Sequence, residues 1–167
     1  ARGLCDPFGG QKDLKDQVLR AVGDPVNRFQ EDSLRILRGV RFAVRYGLMV
    51  EDDTRRAMTS QAHLMENLAR ERVFDELCKL LPLVSAEDLL RWKHVLGAVI
   101  PELTPTFDFN QRSPHHAYDL FTHIAHVTAN VPQCLTLRWA ALLHDVGKIP
   151  TFTIDENGRG HFYGHAG

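Results

Sequence analysis

Glu31-Asp32-Ser33-Leu34-Arg35-Ile36-Leu37-Arg38-Gly39-Val40-Arg41-Phe42-Ala43-Val44-Arg45-Tyr46 is the stretch whose reading decides the fold. Its apolar residues recur at helical spacing. On a wheel Ile36, Leu37, Val40, Ala43 and Val44 share one face, and Glu31, Arg35, Arg38, Arg41 and Arg45 share the opposite one. Gly47 stands where a left-handed residue ends many helices. The pattern predicts an amphipathic helix over 31–46, with a buried aliphatic stripe and an arginine-rich outer face. Phe42 falls on the polar side, against the pattern, and offers a ring for stacking.

Helical signals continue on both sides. Upstream, residues 1–12 read as a strand end and a Gly9-Gly10 turn. Asp13 is expected to cap a helix through Leu14, Val18 and Leu19 to Ala21 or Val22. Asp24-Pro25 starts another turn, because proline suits the first helical position. Downstream, helices are expected around 54–61 and over 70–81, the latter with Val73, Leu77, Leu80 and Leu81 inward and Pro82 as terminator. Ser85 with Asp88 resembles a capping box, with Asp in place of Glu or Gln. It predicts a helix through Leu89, Leu90 and Val95 to Gly97. Residues 101–114, with three prolines, read as a linker and domain boundary. Two further helices are expected over 117–129 and 135–144. The turn-forming run Asp155-Glu156-Asn157-Gly158-Arg159-Gly160 suggests a hairpin tip or a loop. The expected fold class is all-α, mainly helical, with β-structure confined to a strand remnant near residues 3–6 and a small hairpin near 152–162.

Composition narrows the function classes. Hydrophobic residues make up 44% and charged residues 25%, which excludes a disordered chain. No apolar run is long enough to span a bilayer, and the first residues lack the pattern of a signal peptide. Cys5, Cys78 and Cys134 lie far apart with no Cys-x-x-Cys pair, which fits reduced thiols in a cytoplasmic protein. The formal net charge of −1 means that any nucleic-acid surface is a local patch. Such a patch exists from Arg28 to Arg45. Both ends read as interior to a longer chain.

Glu31, Asp32 and Arg35 can act together. An aspartate accepts hydrogen bonds from an exocyclic amino group, and an arginine donates to ring nitrogens or carbonyl oxygens. Such a pair can read a base edge. Arg38 and Arg41 continue the face toward phosphates. A solvated face held by pairs such as Glu31–Arg35 is the plainer reading of the same spacing.

Three motifs in order carry a family resemblance over residues 1–81. Asp6-Pro7-Phe8-Gly9-Gly10-Gln11-Lys12-Asp13-Leu14 resembles the glycine-containing flexible motif late in the head domain of class II CCA-adding tRNA nucleotidyltransferases. Glu31-Asp32-Ser33-Leu34-Arg35-Ile36-Leu37-Arg38 resembles the E-D-x-x-R motif of the family, and Arg70-Glu71-Arg72-Val73-Phe74-Asp75-Glu76-Leu77 resembles its later neck motif. The resemblance implies that Asp32 and Arg35 template the incoming CTP or ATP, that Glu31 positions the arginine, and that Arg38 and Arg41 contact the nucleotide. It implies the tRNA 3′ end as partner and a cytoplasmic location. The Mg2+-binding carboxylate pair of the family lies in its upstream head domain, so these residues are not expected to add nucleotides alone.

Residues 115–167 concentrate His115, His116, His123, His126, His144, His161 and His165. His144-Asp145 ends the apolar run Trp139-Ala140-Ala141-Leu142-Leu143, and Gly147-Lys148 follow. Imidazole and carboxylate together suit Mn, Fe, Ni or Zn. Tyr118-Asp119-Leu120-Phe121-Thr122-His123, followed by Leu142-Leu143-His144-Asp145-Val146-Gly147-Lys148, resembles the HD phosphohydrolase superfamily, an all-helical fold. That resemblance implies metal ligation by His123, His144 and Asp145, an accessory role for His165, and phosphate binding by Lys148. His115, His116, His126 and His161 are expected at the surface or behind the ligands.

The resemblances imply three segments: 1–24 as the end of a nucleotidyltransferase head, 25–104 as a helical neck, and 105–167 as the first part of an HD domain. CCA addition to tRNA is the leading expectation. The alternatives are an HD-type phosphohydrolase or 2′,3′-cyclic phosphodiesterase, and a poly(A) polymerase-like RNA-binding module.

Overall fold

A computed structural model describes residues 5–111, 118–156 and 158–164. The fold is mainly helical, with four short strands among the described residues. The chain divides into two compact units, Ala1–Leu80 and Leu81–Gly167.

In the first unit the Asp6 carboxylate accepts the Gly10 and Gln11 N–H groups at 2.7 and 2.9 Å, and α1 (Gly10–Lys15) starts there. The sequence places this start later, at Asp13. Asp13 instead lies within the helix and accepts from Arg20 Nε at 3.1 Å. Nor does the helix reach Val22. The chain turns at Gln17, φ 55°, and β1 (Val18–Leu19) pairs in parallel with β2 (Met49–Val50). That pairing supplies the backbone partners a longer helix would have supplied. Residues 1–4 of the expected strand remnant lie outside the described residues, and Cys5 and Asp6 are in no strand.

Asp24 caps α2 (Pro25–Glu31) by accepting the Asn27 N–H at 2.8 Å. Asp32 then adopts an extended conformation, and α3 (Leu34–Tyr46) begins after Ser33. The helix expected over 31–46 is therefore interrupted at its start, with Glu31 closing one helix. Leu34, Ile36, Leu37, Val40 and Ala43 form the buried stripe, and Gly47 ends α3 at φ 64°. The Glu51 carboxylate caps α4 (Asp52–Ser60). A 3-10 helix, Ala62–Asn67, leads to α5 (Arg70–Leu80), which packs on α3 through Val73, Leu77 and Leu80. Between these two helices Arg41 Nε donates to Glu76 Oε2 at 2.7 Å, with side chains only 11% and 10% exposed.

The second unit opens with a 3-10 turn, Leu81–Leu83. Ser85 and Asp88 form the expected capping box on α6 (Ala86–Arg91). The helix predicted to continue to Gly97 breaks at buried Trp92, and α7 (Lys93–Val99) follows. Pro101–Thr106, read from sequence as linker, is a 3-10 helix whose Leu103 and Thr106 are fully buried. A Cβ at Gly97 would stand 2.8 Å from Thr104 Oγ1, so a side chain there would push this segment away. Asp119 caps α8 (Leu120–Asn130), which packs on α9 (Leu135–Leu143) around fully buried Phe121 and Ile124. The expected hairpin is present as β3 (Phe152–Ile154) and β4 (Gly160–Phe162), antiparallel, with Phe152 opposite Phe162. No helix among the described residues is long and apolar enough to cross a membrane.

The Arg41–Glu76 pair yields a stability prediction. Burial raises the Glu76 carboxyl pKa, but the hydrogen bond and charge of Arg41 outweigh it and hold the group below its ordinary value of 4.5. A depressed carboxyl pKa contributes stability above the unfolded value, and that contribution is lost as pH falls through the folded value. Arg41→Met should destabilise the chain by about 3 kcal/mol in urea unfolding, because it strands a largely buried carboxylate. Arg41→Met with Glu76→Leu should recover most of that loss. Glu76→Gln should flatten the stability profile below about pH 4.5.

Candidate functional site

Two clusters of chemistry-bearing side chains stand out, one in each unit. The first is a cavity of about 310 Å³ between α2, α3, α4 and the segment at β1, at the small end of ligand-pocket sizes. Arg20, Arg28, Arg35 and Arg38 line it, and Phe29, Phe42 and Met58 supply apolar wall. Gly39 forms part of the lining: a Cβ there would meet Met58 Cε at 3.1 Å.

One carboxylate organises the arginines. Glu31 Oε2 accepts from Arg28 Nη1 at 2.6 Å and from Arg35 Nη1 at 2.8 Å. Arg35 Nη1 also donates to the Arg28 carbonyl at 3.0 Å. The Arg35 hydrogen bond holds the Glu31 carboxyl below its usual pKa. Arg38 is exposed and forms no ion pair or hydrogen bond with another described residue. Its charge remains available to a ligand.

The sequence-predicted set divides. Arg35 and Arg38 line the cavity, and Glu31 holds Arg35 in place. Asp32 accepts the Leu34 N–H at 3.2 Å and lies 3.7 Å from Arg72 Nη2; it is not among the lining residues. Arg41 points to Glu76, with its guanidinium carbon 4.4 Å from the Phe42 ring centroid. Arg28 was not singled out from sequence. It sits seven residues before Arg35, on α2, which starts at the Asp24-Pro25 turn, and lies outside the 31–46 reading.

The second cluster joins α8 to the end of α9. His123 lies in α8, His144 caps the C-terminus of α9, and Asp145 follows it. One potential ligand atom from each lies within 4.8 Å of the others. Asp145 Oδ2 is the hub, 3.4 Å from His123 Nε2, 3.1 Å from His144 Nε2 and 2.8 Å from Lys148 Nζ. His144 Nδ1 lies 2.7 Å from the Ala141 carbonyl, the kind of contact that orients a ligating imidazole.

Asp145 and Lys148 are buried, whereas the two imidazoles are each about one third exposed. Burial pushes the Asp145 carboxyl up, but His144 and Lys148 together hold it far below the usual carboxylate range. The Asp145 hydrogen bond in turn raises the His144 pKa. Two imidazoles and a carboxylate within ligating reach match the donor preferences of divalent transition metals. Lys148 Nζ also donates to the buried Gln111 side-chain carbonyl at 3.2 Å. No sequence signal marked Gln111.

The other histidines separate. His161 Nε2 pairs with Asp155 at 2.9 Å, and His126 stacks on Tyr118. His165, the expected accessory residue, lies outside the described residues, as do His115 and His116.

An arginine-lined cavity and a His–Asp cluster, each in its own helical unit, define a class of helical protein with two separate polar sites. Comparison with known proteins makes that class specific. Residues 47–106 match a family model described as the probable RNA- and SrmB-binding site of polymerase A. A multifunctional CCA protein of Acinetobacter baylyi is 38% identical over 161 residues, 89% of this chain and 38% of that protein. An A-adding tRNA nucleotidyltransferase of Deinococcus radiodurans is 37% identical over 98% of this chain and 40% of its own length. A solved structure described as "Structure of tRNA-processing enzyme complex 3" superposes with TM-score 0.51 at 25% identity, over 83% of this chain and 42% of that one. Over most of its length the chain is similar to CCA-adding and related tRNA nucleotidyltransferases, and over residues 47–106 to the polymerase A RNA-binding model. It spans 38% of the length of the first curated relatives it matches.

The cluster around Asp145 makes its own stability prediction. Asp145→Ala leaves the buried Lys148 ammonium without its carboxylate and should destabilise the chain by about 3 kcal/mol in chemical denaturation. Adding Lys148→Met should restore most of that loss. An additive double variant would show that the two groups do not act as a pair.

Proposed function

We propose that this chain supplies the nucleotide-selecting neck and part of an HD domain to a cytoplasmic tRNA nucleotidyltransferase that adds CCA to tRNA 3′ ends. The observation that carries the reading is the cavity in which Arg35 and Arg38 face a common space while Glu31 restrains Arg35. The names of the relatives support the same reading. In this proposal Arg35, with Asp32, reads the base edge of CTP or ATP, and Arg38 takes phosphate charge. Asp32 would turn from its Leu34 contact toward the base when a nucleotide enters. Nucleotidyl transfer itself would use Mg2+ held by head-domain carboxylates of the full-length protein. Arg41 takes a supporting role, holding α3 to α5 behind the nucleotide face.

Base readout and charge neutralisation should separate in mutants of the full-length enzyme. Arg35→Ala should weaken discrimination of CTP and ATP against other nucleotides, at about 1–3 kcal/mol for each lost base-edge pairing. Arg38→Ala should raise KM for all nucleotides by a similar factor. Single-turnover incorporation with each of the four nucleotides measures both. Unchanged nucleotide choice in Arg35→Ala removes the templating role.

The convergence of His123, His144 and Asp145 favours a second activity in the same protein. These three residues would hold a divalent transition ion, Mn, Ni, Fe or Zn. When bound, such an ion supplies Lewis-acid polarisation of a phosphate ester. Lys148 would help neutralise the phosphate, and His165 would assist the site. The substrate class is a phosphate monoester or a 2′,3′-cyclic phosphate at an RNA end. Full-length protein loaded with Mn2+ should hydrolyse a 2′,3′-cyclic nucleotide, and His144→Ala should lower the bound metal by one site and abolish turnover. Equal metal content and turnover in that variant would leave the HD region as a structural, RNA-facing body.

A further inference from the structure

The buried amine of Lys148 sits where a metal's charge would be needed. Its Nζ lies 2.8 Å from Asp145 Oδ2, the oxygen that also faces His123 and His144. It is held from a second side by the Gln111 carbonyl oxygen at 3.2 Å and from a third by the Phe162 ring, whose centroid lies 5.3 Å away. Asp145, Lys148 and Gln111 are all buried, at 3%, 7% and 1% exposure. An ammonium in such a place persists only when its charge is compensated, and here Asp145 compensates it.

A divalent ion entering between the imidazoles would have to share Asp145 with that ammonium or turn it away. Two cations on one buried carboxylate repel each other with little solvent screening. Gln111 and Phe162 give the amine somewhere else to rest. The amide oxygen and the aromatic face both attract a cation without carrying a charge of their own. Gln111 can therefore hold the amine once Asp145 is occupied.

We propose that Lys148 is a built-in cation that competes with a divalent metal for Asp145, and that Gln111 is the positioning residue that receives the displaced amine. The inference rests on the metal-site reading above. It sets the metal affinity of the site below that of an otherwise identical cluster without the lysine. It also ties metal loading to a movement of the Lys148 side chain toward Gln111. Lys148 would then meet a substrate phosphate only in the metal-loaded state.

The test is calorimetric titration of metal-free, full-length protein with Mn2+ alone, with the binding that His144→Ala removes assigned to this site rather than to the head-domain carboxylates. Lys148→Met keeps most of the alkyl stem and removes the charge. It should bind Mn2+ about tenfold more tightly than the unaltered protein. Gln111→Leu removes the resting place and should bind Mn2+ several-fold more weakly. The Gln111→Leu, Lys148→Met double variant should match Lys148→Met alone, because Gln111 acts only through the amine. Lys148→Gln provides a second uncharged side chain should the methionine variant fold poorly. Equal Mn2+ affinity in the unaltered protein and either uncharged variant overturns the inference while leaving the metal site in place. Failure of every protein, including the uncharged variants, to show Mn2+ binding that depends on His144 overturns the metal reading itself. Binding only after the lysine is neutralised supports the competition in its strongest form.

Discussion

Burying Ile36, Leu37 and Val40 fixes the rotation of α3, and that rotation fixes where every arginine on the helix must go. Successive residues turn by about 100°. Once the aliphatic stripe is seated, Arg35, Arg38, Gly39 and Phe42 fall on one flank, toward the cavity. Arg41 falls on the other, toward α5. The buried ion pair with Glu76 then uses Arg41 to tie the two helices together. The same sequence periodicity thus builds the first unit's core and separates its arginines into a cavity-facing set and a structural one.

The second unit solves a different electrostatic problem. Asp145 is buried and ionised, and its neighbours are arranged to keep it so. The chain achieves this with a short turn, Val146–Lys148, which brings the amine back onto the carboxylate three residues earlier. His123 arrives from a separate helix because α8 and α9 pack on each other, the end of α9 coming back beside α8. The packing of Phe121 and Ile124 therefore has a chemical consequence, since it holds two imidazoles beside one acid.

Helical content, the capping box at Ser85, the stop at Gly47 and the β3–β4 hairpin were legible in the sequence because each depends on residues close together in the chain. The convergence of His123 with His144 and Asp145 was legible too, since a short connection between two helices constrains them to return. The misreadings have a common physical origin. The helix expected to reach Val22 yields to a parallel pairing with residues 49 and 50, a partner that no local pattern announces. The proline-rich segment at Pro101–Thr106 looks like a linker until Leu103 finds its core. Grouping Arg41 with Arg35 and Arg38 treated the polar side of a helix as one surface. Only the location of Glu76, thirty-five residues away, tells its two flanks apart. Gln111 carried no signal, because a lone glutamine becomes informative only when its burial is known.

Glu31 has an effect on the cavity arginines that contact energies do not capture. Its carboxylate grips two guanidinium groups while all three side chains stay open to solvent. Exposed pairs of this kind add little to stability, about 0–1 kcal/mol. They do restrict the rotamers of two long, flexible side chains before any ligand arrives. Freezing such a side chain at the moment of association opposes binding by about 0.5–1.5 kcal/mol. Here much of that ordering is completed during folding. An anion entering the cavity would meet guanidinium groups already oriented, held by a contact weak enough to be exchanged for its own.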